Sequence, residues 1–304
     1  LQSHKWYFPK RVPAVMFYSL LPLLFASVIT EKCSGFLVAP QVFLARRHSA
    51  APCSTAASAP SSDLTDLSEG LPPTRHKFFL LRHGQSTANV AGIISSDPDT
   101  LMYTEKHGLT ALGKEQALGS AAAVADELRK LNCGGRVRFF SSPFARAKQT
   151  AEICAEQLLN IIPEGWEVVP DVGLDNGLRE RYFGRLDGMK LYTYAYVWPV
   201  DLLLPTHTGF DVESVAAVAR RAGEAVARID ASLGDEETDA TEVIVLAGHA
   251  DTLQILQVLA AGVEEGMLGT FSSYRFGNGE VRFMGRDVGT LPDPSPMMPP
   301  EKGT

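Results

Sequence analysis

Lys77-Phe78-Phe79-Leu80-Leu81-Arg82-His83-Gly84-Gln85-Ser86 is the stretch on which the reading of this chain turns. A short apolar run has the length of a buried strand and stops abruptly at an arginine, a histidine and a glycine. Far downstream the arrangement recurs: Val243-Ile244-Val245-Leu246 runs into Gly248-His249-Ala250-Asp251. Open α/β sheets bind ligands beyond the carboxyl ends of their strands, which is where both histidines fall. Only folding can bring them together.

Working outward, the pattern from Lys77 alternates between strand and helix. Strands are predicted at 77–81, 137–140, 167–169 and 243–246. A helix is predicted at 110–131, with Thr110 as N-cap and Leu112, Ala117, Ala121, Val124 and Leu128 on its apolar face. Another is predicted at 143–161, with Ser142 as N-cap and Pro143 at its first position. Two more fall at 211–233 and 252–261. Asn278-Gly279 between 274–276 and 280–284 reads as a hairpin turn. Strands alternating with helices imply a three-layer α/β/α sandwich around a mostly parallel sheet. Ser141-Ser142 then sits at a strand end beside Arg82-His83 and Gly248-His249.

Those residue types suit phosphoryl transfer. A phosphoryl group in transit spreads negative charge over three oxygens, so catalysis is mainly positioning and charge stabilisation. His83 is the candidate nucleophile, kept neutral by its cationic neighbours. Arg82 and Arg146 offer planar forks of donors. Gly84 permits close backbone approach, and Asn89 carries an amide donor. His249 is a further donor, and Glu180, in Leu178-Arg179-Glu180-Arg181-Tyr182-Phe183-Gly184, is the candidate proton donor to the leaving oxygen. Arg181 and Ala250 are candidate substrate contacts. Asp251 reads as a helix N-cap, and Tyr192, Tyr194, Tyr196 and Trp198 read as packing.

These motifs resemble the histidine phosphatase superfamily, in its phosphoglycerate mutase-like branch (branch 1). The opening motif is Arg82 to Asn89. The second is Ser141-Ser142-Pro143-Phe144-Ala145-Arg146-Ala147-Lys148-Gln149-Thr150-Ala151. The acid-bearing motif is Leu178 to Gly188, and His249 is the closing histidine. A smaller signature lies at Leu109-Thr110 and 113–117. The resemblance covers about residues 77–285. It implies a phosphoglycerate mutase-like fold and a metal-independent phosphatase without cofactor. His83 would be phosphorylated, with Arg82, Asn89, Arg146 and His249 holding the phosphate and Glu180 donating the proton. Where the family has glycine after the closing histidine, this chain has Ala250, which keeps the backbone N–H but restricts φ. Mutases of the family carry a long insertion before the closing histidine and a tail over the site. Little room for either remains here, so water is the expected acceptor. The alternatives are a phosphoglycerate-mutase-type phosphotransferase and a non-catalytic module that binds a phosphorylated ligand.

Charge is divided unevenly. Residues 1–62 hold six Lys/Arg and one acid, and the remainder holds 22 basic and 34 acidic residues. An acidic body argues against nucleic acid as partner and leaves a small phosphorylated substrate, or a phosphoprotein, as the expected one. Four cysteines, none in a C-x-x-C pair, exclude a disulfide scaffold and a Cys-rich zinc site. Cys133 and Cys154 are expected to be small buried residues.

Lys5, Lys10 and Arg11 precede an apolar run from Ala14 to Ile29 that Pro22 interrupts. It is short for a membrane span and has the form of a secretory signal. Residues 37–62 carry Arg46, Arg47 and no acid among many Ala, Ser and Pro. Signal followed by transit peptide resembles the bipartite presequence of plastids of secondary origin, and other secretory routing is the alternative. The domains expected are thus a signal-like segment at 1–36, a transit-peptide-like segment and linker at 37–73, a catalytic domain without stable membrane insertion at 74–286, and a disordered tail at 287–304.

Overall fold

The computed structural model describes residues 70–102, 104–233, 241–263 and 265–296. The signal-like segment and all but the last residues of the transit-peptide-like segment lie outside the described residues.

Strand β1 (Lys77–Arg82) is followed by two short helices, α1 (Thr87–Ala91) and α2 (Pro98–Leu101), and by the long helix α3 (Ala111–Lys130). Next come β2 (Gly135–Ser141), α4 (Ala145–Ile161) and the edge strand β3 (Trp166–Leu174). A run of 3₁₀ turns carries the chain through α5 (Trp198–Leu203) to α6 (Val215–Ser232), β4 (Thr241–Gly248), α7 (Ala250–Ala260) and β5 (Val281–Phe283). The sheet order is β3-β2-β4-β1-β5. The first four strands are parallel, and β5 alone pairs antiparallel, with β1.

Alternation along β1 divides its side chains between two cores. Phe78 and Leu80 join Ile244 and Leu246 under α6 and α7. Phe79 and Leu81 join Val243 and Val245 under α3 and α4. A strand covered on both faces needs apolar residues at every position, which is why 78–81 and 243–246 are unbroken runs. Each buried Phe or Leu contributes about 1.5–3 kcal/mol.

The sequence-based elements recur with shifted limits. Thr110 caps α3 by accepting from the Gly113 N–H, but Leu112 is exposed because it falls on the solvent side of the first turn. Helix α4 starts two residues later than expected. Phe144 occupies the N-cap, and the Ser142 hydroxyl accepts instead from the Phe144 N–H at 3.2 Å. Pro143 therefore precedes the helix. Strand β3 is longer than expected and tolerates Pro170 because an edge strand has an unpaired side. Residues 274–276 form no strand. The Asn278-Gly279 turn, with Gly279 at φ +72°, leads into β5, which pairs across to β1. Cys154 is buried, but Cys133 is exposed in the α3–β2 turn.

Both ends of the body reach further than expected. Leu71 is buried in the core, and its carbonyl accepts from Arg286 Nη2 at 2.7 Å. The tail does not leave the body at Asp287. Ser295 N–H donates to the Ser273 carbonyl at 2.8 Å, and Leu291 packs against the core. Residues 297–304 lie outside the described residues. Among the described residues no helix is long and apolar enough to cross a membrane, and no group of three or more His, Cys, Asp or Glu is placed to hold a metal ion.

Candidate active site

The carboxyl ends of β1, β2 and β4 meet as the pattern implied. His83 N–H donates to the Gly248 carbonyl at 3.0 Å, and Ser142 N–H donates to Ala247. The two histidine rings lie edge to face with centroids 5.2 Å apart. Gly84 N–H donates to Thr150 Oγ1, whose hydroxyl donates to the Arg146 carbonyl at 2.7 Å. The first and second motifs are thus knitted through the Thr150 hydroxyl. The close approach that Gly84 permits is internal: a Cβ there would run into the Gly113 carbonyl of α3.

His83 Nδ1 lies 2.7 Å from the Gly84 carbonyl. A carbonyl only accepts, so Nδ1 carries the proton and Nε2 holds the lone pair. Arg146 Nε donates to that Nε2 at 3.2 Å. Burial, then the charges of Arg146 and Arg82, hold the imidazole pKa well below its ordinary value. The ring is therefore neutral near pH 7, with its lone-pair nitrogen directed at a guanidinium.

His249 occupies the N-cap of α7. Its Nε2 lies 2.8 Å from Ser142 Oγ, and its Nδ1 is buried without a hydrogen bond. Burial and the Arg146 charge push its pKa well down too. Arg82 Nη1 donates to the Phe276 carbonyl at 2.6 Å, while its Nε is buried and unbonded. Arg146 reaches the Ser95 carbonyl through Nη2 at 2.8 Å, and burial lowers its pKa to about 10. Asn89 holds the Ser86 N–H on Oδ1 in a capping box, which leaves the donor end of its amide for other partners.

Glu180 is buried. Its Oε1 accepts from the Arg181 N–H at 2.9 Å. Desolvation raises its pKa, against the opposing pull of Arg146 and Arg82. Such a carboxyl keeps its proton to higher pH than an exposed one.

Two expectations about neighbours change. Arg181 is completely buried, so it contacts no substrate. Its guanidinium forks onto Asp201 at 2.7 Å on both arms, and Asp201 also meets His207 Nε2 at 2.8 Å. Asp251 is not the N-cap of α7 but lies in its first turn, buried, accepting from Trp198 Nε1 at 3.3 Å and facing Arg181 at 3.6 Å. Burial, then the charge of Glu180, raise its pKa to about 7. Ala250, as the first residue of α7, is in a conformation alanine adopts freely.

A cavity of about 370 Å³ opens over these groups. Arg82, His83, Asn89, Arg146, Glu180 and Ala250 line its floor and sides. Tyr194, Trp198, Asp251, Gln254 and Arg275 form a wall that the motifs did not indicate. Tyr194 and Trp198 stack at 4.6 Å. Tyr192 and Tyr196, from the same aromatic run, face solvent. The run's alternation was the available signal, since neighbours four apart share a face of a helical turn.

The model of the histidine phosphatase superfamily (branch 1) matches residues 78–287. The chain is 36% identical over 112 residues to the 2,3-bisphosphoglycerate-dependent phosphoglycerate mutase of Thermoplasma acidophilum. That match covers 37% of this chain and 44% of the relative, so it spans less than half of that protein. Among solved structures, a mycobacterial hydrolase superposes with TM-score 0.52 at 22% identity, over 71% of this chain and 87% of the other. A mycobacterial glucosyl-3-phosphoglycerate phosphatase in complex with VO3 superposes with TM-score 0.50 at 23% identity, over 68% and 90%. At these identities the superpositions establish the fold.

Proposed function

The chain belongs to the histidine phosphatase superfamily (branch 1), and on that premise we propose that it hydrolyses a phosphate monoester through a phosphohistidine on His83. The observation that carries this reading is the pairing of His83: Nδ1 on the Gly84 carbonyl and Nε2 facing Arg146 Nε. A neutral imidazole locked in that tautomer is a nucleophile aimed at the place where Arg146 holds an anion. Arg82 and His249 each keep a buried unbonded nitrogen for the phosphate oxygens, and Asn89 offers its amide.

In the first step His83 Nε2 forms a bond to phosphorus as the ester P–O bond breaks, and Glu180 gives its proton to the departing oxygen. In the second, water attacks phosphorus, Glu180 takes a proton from it, and the N–P bond breaks to release phosphate. Both steps use the raised pKa of Glu180. Arg181 acts behind the site, as the buried anchor of the loop that carries Glu180.

A phosphatase is preferred to a mutase because no segment of the described tail closes the cavity: residues 287–296 bond and pack against the body at Ser273 and the core. The test is hydrolysis of an aryl phosphate by the full chain, with chelator present, beside His83→Ala. Turnover lost in the variant by at least about 10³-fold, with acid-labile phosphate trapped on His83, is expected. Equal turnover in both refutes the nucleophile. A label that water fails to clear, and that needs a bisphosphate primer to form, makes the protein a mutase; ligand binding with no label makes it a binding module.

We also propose that the signal-like and transit-peptide-like segments at 1–73 deliver this domain to a plastid. Import of a fluorescent fusion of residues 1–73 tests it, and retention in the secretory pathway refutes it.

A further inference from the structure

A phosphate fills only a small part of the cavity, whose volume lies at the lower end of small-molecule sites. The rest of the substrate must lie against the wall, and the wall contains one charge with no counterpart. Arg275 lines the cavity beside Trp198, its guanidinium carbon 5.5 Å from the ring centroid. Its Nε and Nη2 are covered from solvent and make no hydrogen bond. These two nitrogens form one edge of the guanidinium fork, the edge that grips a carboxylate or phosphate with two parallel bonds.

The acid nearest in effect is Asp251, and it does not serve as the partner. Its carboxylate is engaged by Trp198 Nε1 and by Arg181. No ion pair joins it to Arg275 among the described residues. The backbone under Arg275 is fixed from three directions. Arg282 donates to the carbonyls of Tyr274 and Arg275 and stacks on the Phe276 ring at 4.0 Å. The Phe276 carbonyl takes Arg82 Nη1. The loop that carries Arg275 is therefore tied to an arginine of the phosphate floor, while the Nε–Nη2 edge of Arg275 is left unsatisfied. A buried donor pair without acceptors is costly, and a ligand that supplies the acceptors recovers that cost on binding.

We propose that Arg275 is the anchor for a second anionic group of the substrate, so that the ester hydrolysed here carries a carboxylate or a further phosphate besides the one transferred. The proposal rests on the phosphatase reading for the word substrate. As a binding site it stands on the cavity and Arg275 alone. Trp198, also in the wall, supplies an apolar face beside Arg275 for the part of the substrate next to the anion. A neutral phosphate ester leaves the Arg275 edge as empty as it found it.

The test uses alkyl phosphonates, which cannot be hydrolysed and so separate binding from chemistry. Three probes share a phosphonate and a short chain and end in a methyl, a carboxylate or a second phosphonate. Calorimetric titration of the full chain at fixed ionic strength compares them, with Arg275→Gln and Arg275→Lys beside the parent. The two charged probes are expected to bind about 10- to 100-fold more tightly than the methyl probe. Arg275→Gln should erase that margin and leave the methyl probe unchanged. Arg275→Lys should restore part of it, charge without the fork, and shows that loss in the first variant is not loss of fold. Which charged probe gains more separates carboxylate from phosphate. Equal binding of all three by the parent, or an equal loss for all three in Arg275→Gln, overturns the proposal. The His83→Ala assay is independent of these titrations: it can fail while the Arg275 margin stands, and the margin can be absent while His83 still turns over.

Discussion

The floor and the wall of the cavity are built on opposite plans. The floor is a set of strand ends: His83, Ser142 and His249 follow β1, β2 and β4, and backbone hydrogen bonds between neighbouring strands fix their spacing. The wall is made mostly of irregular pieces, a 3₁₀ turn, the short helix α5 and the loop at Arg275, set against Asp251 and Gln254 of α7. Floor residues are cations and neutral imidazoles around one anion. From Asp251 in the wall a buried chain of charges runs back through Arg181 to Asp201 and His207 and fixes where the wall stands. On the proposed phosphatase reading, the floor can serve any phosphate ester. Choice among esters must come from the wall, which is free to differ because it lies outside the sheet.

The largest effect should come where floor and wall meet. Glu180→Gln is expected to lower kcat by about 10²- to 10⁴-fold on an alkyl phosphate, whose leaving oxygen needs a proton. On a nitrophenyl ester, which departs as a stable anion, the loss should be far smaller. Steady-state kinetics on the two esters decides. Equal losses on both would make Glu180 a positioning group and move the proton donor elsewhere, with Asp251 the next candidate.

Next comes the wall's own support. Arg181→Met leaves Asp201 buried with His207 alone, and removing one member of a buried pair costs about 3–5 kcal/mol. Denaturant unfolding should show that loss, and the esters should lose discrimination before the phosphate floor loses its affinity for inorganic phosphate. A variant as stable as the parent would show that the pair is dispensable, as some buried ion pairs are.

Legibility followed the same division. Strand ends are announced by unbroken apolar runs stopping at polar residues, so the shared location of Arg82, His83 and His249 was readable from the chain, and Arg146 was readable from the motif that opens α4. The Ser142 cap and the start of α4 were not, because Ser142 is drawn to His249, a partner 107 residues away. Arg181 read as a substrate contact for a related reason. Its acid, Asp201, lies 20 residues on in an irregular segment, and nothing periodic links the two. Asp251 has the composition of an N-cap, yet the cap is taken two residues earlier by His249, whose place is set by β4. Arg275 carried no signal at all, since its importance is an absence of partners that only packing reveals.

A smaller effect concerns pH. Productive chemistry needs His83 neutral and Glu180 protonated, and burial moves the first pKa down and the second up. Activity should therefore hold into mildly acidic solution and fall as pH rises through the Glu180 value. Asp251 feels the charge of ionised Glu180 and keeps its own proton up to about pH 7. Asp251→Asn, a neutral replacement for that protonated acid, should therefore leave the falling limb set by Glu180 where it is. The stability sign is separate. An Asp raised to about 7 in the folded state binds protons more tightly than the unfolded chain. It stabilises most below its unfolded pKa, and that contribution is lost as pH rises through about 7. Each tenfold difference in proton affinity between the two states is worth roughly 1.4 kcal/mol. Unfolding measured from pH 5 to 8 should show a decline that Asp251→Asn flattens.

The smallest expected effect divides the aromatic run itself. Tyr192 is 64% exposed and Tyr196 57%, while Trp198 is 5% exposed, stacks on Tyr194 and donates to Asp251. Tyr192→Ser and Tyr196→Ser should each change stability by less than about 0.5 kcal/mol and leave both esters' KM untouched. Trp198→Ala should cost about 3–5 kcal/mol and raise KM. If instead the tyrosine variants raise KM, the substrate extends past the cavity rim onto these two rings, and the wall that selects it is wider than the cavity outlines.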